Sequence, residues 1–429
     1  MKIAIFGGEK TVKEIKDWPP IDEIDRKYVL NSLEGTNHAY GPNCVELEKE
    51  FAAWNGNKYA ITTNSGTAAL HMSIAGCGLG VGDEIIVPSY TWSSSATCIL
   101  HHNCIPVFVD IDYETMNMDV DKIEEKITEK TKGIIVVHLH GLSVEMDKVM
   151  EIAKKYNLKV IEDACQSHGA KYKGKKVGTI GDCGAFSFNQ NKCLCSGEGG
   201  MFVTDNEEIY EKAKMLWSFG ETRRPSESRD YHAYALGWMY RNNDLTAAFG
   251  RAQLTKLDGY LETQKKNASV LTDIIKDIKG LKIPYTPEGC EHIWYNYTLR
   301  IEPEKLDFSG DEVILRDSIM EAIRQEGVPV GIWQSFILPE MTVFQAKNAY
   351  GKGCPWICPH SRNVSYNPEE YQEAQKHCRR HFGMTYPLRQ PNNEKTAELV
   401  GLAIKKVFDD IKEKGVEKWV SMVQEVKKS

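Results

Sequence analysis

Residues 184–205 read GAFSFNQNKCLCSGEGGMFVTD. Two apolar runs, GAFSF and GGMFVTD, flank a connection too short for the crossover of roughly a dozen residues that parallel neighbours require, so the two are expected to pair antiparallel. Between them Lys192 follows the apolar run and precedes SGEGG. A lysine there is either a solvated surface residue, the usual fate of its type, or an amine held partly out of water, where burial lowers its pKa and makes it able to form a Schiff base.

Upstream, similar runs recur as YAITT (from Tyr59), EIIVPS, IPVFVDI, KGIIVVHL and LKVIEDA. Helical or turn-bounded stretches separate them, among them Gly66 to Ala75, Asp119 to Glu129 and Met146 to Tyr156. Near-continuous apolar strands alternating with helices indicate an α/β layer with a buried, mostly parallel sheet, made mixed by the antiparallel pair. Downstream, Leu245, Ala248, Ala252, Leu254, Leu257 and Leu261 keep a 3.6-residue stripe, which predicts one long helix over Asp244 to Ile278. Elements are sparser beyond Lys282: WYNYTLRIE, a helix near Val313 to Glu326, an irregular Pro-, Trp- and Cys-containing stretch from Trp333 to Tyr366, and terminal helices. Residues 1–30 are expected to form an arm, 31–258 a large domain, and 259–429 a smaller α+β domain.

A chain of 429 residues exceeds the usual size of a single core. Its net charge of −7 disfavours non-specific attraction to nucleic acid or anionic membranes. No apolar run reaches the 18 residues of a membrane span, and the opening MKIAIFGGEK lacks a signal-peptide core, so a cytoplasmic location is expected. Twelve scattered cysteines in so long a chain do not form a disulfide framework. Cys354, Cys358, His360, His377 and Cys378 match no standard zinc spacing, and His138 and His140, two apart on one strand face, lack a third ligand. No metal is expected.

Three further places carry chemistry. NSGTAALHMSI turns from a strand into a helix, a geometry that offers free amides and a helix dipole to an anion; it also serves as a plain N-cap through Ser65 or Thr67. Asp163 ends an apolar strand, with Gln166 and His168 in the loop after it, and is either a helix cap or a carboxylate awaiting a cationic partner. Trp92 follows another strand end in PSYTW. GCGLGVGD, from Gly76 to Asp83, sits between helix and strand, the reverse of the dinucleotide-binding order, and is a turn. Anion cup, aromatic, strand-end carboxylate and lysine are together the groups that pyridoxal 5′-phosphate requires.

The ordered motifs SGTAAL, GDEIIVPSYTW, PVFVDID, VIEDACQSHGA, GTIGDCGAFSFNQNK and GEGGMFVTD resemble those of the DegT/StrS-type sugar aminotransferases, fold type I pyridoxal-phosphate enzymes. The match runs from about Trp18 to Leu261 and continues more weakly to the C-terminus. The resemblance implies that Lys192 carries the coenzyme as a Schiff base and Asp163 pairs with its pyridinium nitrogen. It also implies that Gln166 meets the phenolic oxygen, Trp92 stacks on the ring, and Ser187 joins the amides of Gly66, Thr67 and Ala68 on the phosphate. The implied reaction moves an amino group from L-glutamate or L-glutamine to a keto-sugar, nucleotide-linked or phosphorylated, or to a cyclitol ketone, in a homodimer with active sites at the interface. Some relatives carry histidine in place of the lysine and dehydrate sugars; Lys192 argues against that alternative. Where the family has Gly-Tyr-Asn-Tyr-Arg, this chain reads Gly237-Trp238-Met239-Tyr240-Arg241, so the asparagine that reaches a neighbouring subunit's phosphate is missing, with Arg241 or Asn242 as substitutes. Tyr240 and Arg241 are candidate substrate contacts; Arg223 and Arg224, like Arg241, are either contacts for a substrate phosphate or solvated surface charges. The Trp333 to Tyr366 stretch is similar to the branch acting on cyclitol ketones.

Overall fold

The computed structural model describes residues 2–222 and 231–428. The apolar runs become β1 (Tyr59–Thr63), β2 (Glu84–Pro88), β3 (Ile105–Val109), β4 (Thr131–Val137) and β5 (Lys159–Asp163), then, after the short β6 (Lys171–Tyr172) and β7 (Lys175–Lys176), β8 (Cys183–Ser187) and β9 (Gly200–Thr204). Seven of them form one sheet in the order β1-β9-β8-β5-β4-β2-β3. As the short connection requires, β8 and β9 are antiparallel, with Gly184 opposite Val203 and Ser187 opposite Gly200. β9 also runs antiparallel to β1, while β8, β5, β4, β2 and β3 are mutually parallel. Every residue of β2, β3 and β9 is buried, which is why these strands read as unbroken apolar runs.

Helices α1 (Glu23–Glu34), α2 (Pro42–Asn55), α3 (Gly66–Gly76), α4 (Ser94–His101), α5 (Met146–Tyr156) and α6 (Glu207–Trp217) accompany this sheet. The helix expected over 244–278 is two: α7 (Asp244–Leu254) and α8 (Leu257–Ile275). At the break the Thr255 hydroxyl bonds the Ala252 carbonyl at 2.6 Å, competing with the helical ladder, so one apolar stripe spans two helices. The C-terminal part adds β10 (Leu281–Lys282), β11 (Cys290–Glu291), β12 (Tyr297–Ile301), α9 (Glu312–Gln325), α10 (Thr342–Gln345), α11 (Gln372–Arg380), β13 (His381–Met384), α12 (Glu394–Lys414) and α13 (Val416–Lys428). A second sheet runs β10-β12-β13, and β11 joins the ladder with β6 and β7.

The hydrophobic cores do not follow the chain linearly. Ile3 and Val12 pack with Leu271, Leu299, Ile319, Ile404 and Trp419 in the C-terminal core. There the buried Glu326 carboxylate accepts from the Ala4 amide at 2.7 Å and the Thr11 hydroxyl at 2.7 Å, and pairs with Lys406 at 2.9 Å. In the other direction Ile337, Phe344, Trp356, Tyr366 and Ala374 return to the core of the large sheet. Long-range burial of this kind leaves no periodic trace in a local window.

Candidate active site

A cavity of about 360 Å³ opens beyond the carboxyl ends of β1, β2, β5 and β8, where ligands of open α/β sheets bind. Ser65, Gly66, Thr67, Trp92, Asp163, Gln166, Ser187 and Lys192 all line it, so residues spread over more than a hundred positions meet at one rim.

The floor is built by α3. Ser65 caps it, its hydroxyl accepting from the Ala68 amide at 3.1 Å. That bond removes Ala68 from the expected anion cup and leaves the Gly66 and Thr67 amides without an acceptor among the described residues. Ser187 lies beside them because Phe186 and Phe188, on the other face of the strand, lock against Phe51 with ring centroids at 5.0 and 5.6 Å. A Cβ on Gly66 would stand 2.8 Å from both Cys165 Sγ and Ser187 Cβ, so only glycine lets the helix start this close to the strand. The result is two free amides, one hydroxyl and the positive end of a helix dipole.

Asp163 is 5% exposed and accepts from Ser95 Oγ at 2.7 Å and from the Cys165 amide at 3.1 Å. Those two bonds leave acceptor capacity facing the cavity. Gln166 is fixed by its Oε1, which accepts from the His140 amide at 2.9 Å, and no hydrogen bond within the described residues uses its Nε2. Trp92 stands at the mouth, 58% exposed, its ring presenting an apolar face. His168 lies outside the cavity lining, packed on Phe186 and Phe188. Burial first, then the positive charges of Lys192 and Arg389, push its pKa down to about 3, so it is a neutral core histidine.

Lys192 is half-buried and follows a turn in which its amide bonds the Asn189 carbonyl at 2.9 Å. The next residues, Cys193 and Leu194, are buried in a hydrophobic cluster and tether the loop. Its Nζ donates to the hydroxyl of Tyr295 at 3.3 Å. Tyr295 and Trp333 close the cavity from the C-terminal part of the chain, where no motif marks either; Asn189, Asn191 and Glu198 join from the lysine loop, inside the quoted motifs but not singled out there as site residues.

Other expected contacts lie elsewhere. The Tyr240 hydroxyl is 2.9 Å from His71 Nδ1, and neither Tyr240 nor Arg241 lines the cavity of its own chain. Asn242, a substitute for the missing asparagine by sequence, is used up inside: its Nδ2 donates to Thr62 Oγ1 at 3.1 Å and its Oδ1 accepts from Thr246 Oγ1 at 2.7 Å. Arg223 and Arg224 lie outside the described residues. β4 ends at Val137, so His138 and His140 do not share a strand face. His138 Nε2 meets Glu162 at 3.0 Å, and His140 adopts a left-handed φ of 56° against Trp333. Among the described residues no group of three or more His, Cys, Asp or Glu side chains is placed to hold a metal ion.

Comparison with known proteins gives this geometry its context. The model of the DegT/DnrJ/EryC1/StrS aminotransferase family matches residues 19–367. The chain is similar to a GDP-perosamine synthase of Caulobacter vibrioides, 38% identical over 315 residues that span 73% of this chain and 82% of that protein. It is also similar to a putative L-glutamine:3-amino-2,3-dideoxy-scyllo-inosose aminotransferase of Micromonospora echinospora, 32% identical over 333 residues, 76% of this chain and 78% of that protein. An aminotransferase structure from Psychrobacter cryohalolentis superposes with a TM-score of 0.79 at 29% identity, covering 93% of this chain and all of that one.

Proposed function

The chain belongs to the DegT/DnrJ/EryC1/StrS aminotransferase family, with pyridoxal phosphate as its cofactor, and on that premise we propose that it moves an amino group from L-glutamate or L-glutamine to a keto-sugar, nucleotide-linked or phosphorylated, or to a cyclitol ketone. The observation that carries the reading is the convergence of Lys192, Asp163 and the amide cup on one cavity.

The residues fit the coenzyme part by part. The Gly66 and Thr67 amides and the Ser187 hydroxyl would hold its phosphate, and the cradle closed to any Cβ at Gly66 suits that group. Trp92 would cover a ring face and Gln166 Nε2 would donate to the phenolic oxygen. Asp163, already fixed by Ser95, would hold a proton on the pyridine nitrogen. Bound there, pyridoxal phosphate supplies an electron sink for negative charge developing beside the amino group. Lys192 Nζ, the amine of the site, would be placed to take the proton from the donor's Cα and to hold it for return to a neighbouring carbon. Asp163 makes the charge-separated state cheaper, by several kcal/mol on the scale of other preorganised electrostatic sites.

The chain acts as a homodimer in this reading. Leu30 and Leu33 on α1, with Leu236 and Met239, are large exposed apolar side chains that a second copy would cover, and Tyr240 and Arg241 would then face the neighbouring site. A cytoplasmic location is part of this reading; separately, no helix among the described residues is long and apolar enough to cross a membrane. The dehydration alternative has no support in the relatives reported above, and Lys192 supplies the amine that aminotransfer needs. The test is a half-reaction screen. Protein loaded with pyridoxal phosphate is mixed with glutamate or glutamine, then the aminated form with keto-sugars, with and without nucleotide, and with cyclitol ketones. Conversion by an amino donor and discharge by one ketone class is expected; failure of every donor overturns the proposal.

A further inference from the structure

We propose that Tyr295 is a positioning residue of this site, its hydroxyl fixing the direction in which Lys192 presents its amine. The inference rests on the reading of Lys192 as the amine that attaches the coenzyme and moves the proton.

The contact is a directed chain. Lys192 Nζ donates to the Tyr295 hydroxyl at 3.3 Å, and that hydroxyl donates onward to Asn191 Oδ1 at 3.3 Å. With its own proton committed to Asn191, the phenol oxygen turns its lone pairs toward Nζ. It is the one hydrogen-bond partner of Nζ among the described residues. A flexible four-carbon stem would otherwise sample many rotamers, and an amine that must meet one carbon and then another gains from being aimed.

The surroundings hold both partners to one bracket. Arg389, 1% exposed, donates from Nη1 to the Asn191 carbonyl at 2.8 Å and from Nη2 to the Tyr295 carbonyl at 3.1 Å. Its guanidinium lies over the rings of Trp18 and Tyr295, at 5.1 and 5.2 Å, and forms no ion pair with a carboxylate among the described residues. Trp18 Nε1 adds a bond to the Lys192 carbonyl at 3.1 Å. Tyr295 itself follows Trp294, which holds a left-handed φ of 61°, while the Gln264 amide bonds the Ile293 carbonyl at 2.6 Å. A sparsely populated backbone state kept by several long-range contacts is a feature of functional sites. Here it turns a phenol into the cavity.

The test compares the wild type with Tyr295→Phe and with Asn191→Ala, an exposed position that keeps the question open if the first variant folds poorly. The full-length protein, freed of coenzyme, is mixed with pyridoxal phosphate, and covalent attachment is followed by absorbance: the Lys192 nitrogen bonds the aldehyde carbon and the oxygen leaves as water. A single turnover with glutamate, protonated or deuterated at Cα, follows. Tyr295→Phe is expected to attach the coenzyme about tenfold more slowly at nearly unchanged equilibrium affinity. Its turnover should fall about 100-fold with a larger isotope effect. Asn191→Ala should show the same pattern at about threefold. Attachment and isotope effect equal to wild type in both variants overturn the proposal, as does a rate loss matched by an equal loss of coenzyme affinity. If the wild type attaches the coenzyme but no donor converts it, aminotransfer fails alone, and the attachment rates still decide the role of Tyr295.

Discussion

Glu162 and Asp163 are adjacent on β5, are both buried, and point to opposite faces of the sheet, yet they do different work. Glu162 is saturated: it accepts from His138 Nε2 at 3.0 Å and from the amides of Gly178, Ile180 and Gly181 at 2.6 to 2.7 Å. Burial alone would raise its pKa, but the bonds from His138 and those amides outweigh it and hold the carboxyl below its ordinary value. Asp163 has two donors and an open side facing the cavity. A fully satisfied buried acid ties loops to a sheet, and one with acceptor capacity left at a cavity wall is placed to meet a ligand.

The comparison breaks if the two classes of residue respond alike. Lys192→Ala should lower aminotransfer on the order of 10⁴-fold or more while the melting temperature stays within a few degrees, checked by steady-state rates beside thermal unfolding. Asp163→Asn should cost about 10³-fold in kcat, again with the fold intact, because the lost charge acts on the reacting system. Glu162→Gln should do the opposite, removing about 2–4 kcal/mol of stability in urea titrations while the rate per folded molecule changes less than about twofold. Its pH dependence sharpens the point. A carboxyl with a lowered folded pKa contributes its stability fully above its ordinary value of 4.5 and loses it as pH falls. The gap between wild type and Glu162→Gln should therefore be level from about pH 5 to 8 and narrow below that; a gap unchanged in acid would contradict the assignment. Gly66→Ala, whose new methyl meets Cys165 Sγ and Ser187 Cβ at 2.8 Å, should weaken coenzyme binding by about tenfold, or about 1.4 kcal/mol, read by equilibrium titration.

Much of this was legible in the sequence because the site grows from strand ends, and each strand end carries a local marker. Ser-Gly-Thr after β1, Trp92 after β2, Asp163 closing β5 and Lys192 after β8 needed only the strands to be placed correctly, and buried parallel strands announce themselves as apolar runs. The residues that escaped are those delivered by packing. Tyr295 and Trp333 come from the C-terminal half, and Arg389 and Trp18 reach the lysine loop from opposite ends of the chain. At Ala68 two readings of one motif meet, since the same Ser65 that marks the anion cup also caps one of its amides. The interleaving of the cores, with Val12 in one and Tyr366 in the other, is likewise a property of tertiary burial.

The most direct test of the central claim is peptide mapping after reduction. Protein incubated with pyridoxal phosphate, treated with borohydride and digested should carry the coenzyme mass on Lys192 alone, and prior addition of an effective amino donor should abolish that mass. Label on surface lysines with Lys192 unmodified, or label at Lys192 that no donor removes, would contradict the account.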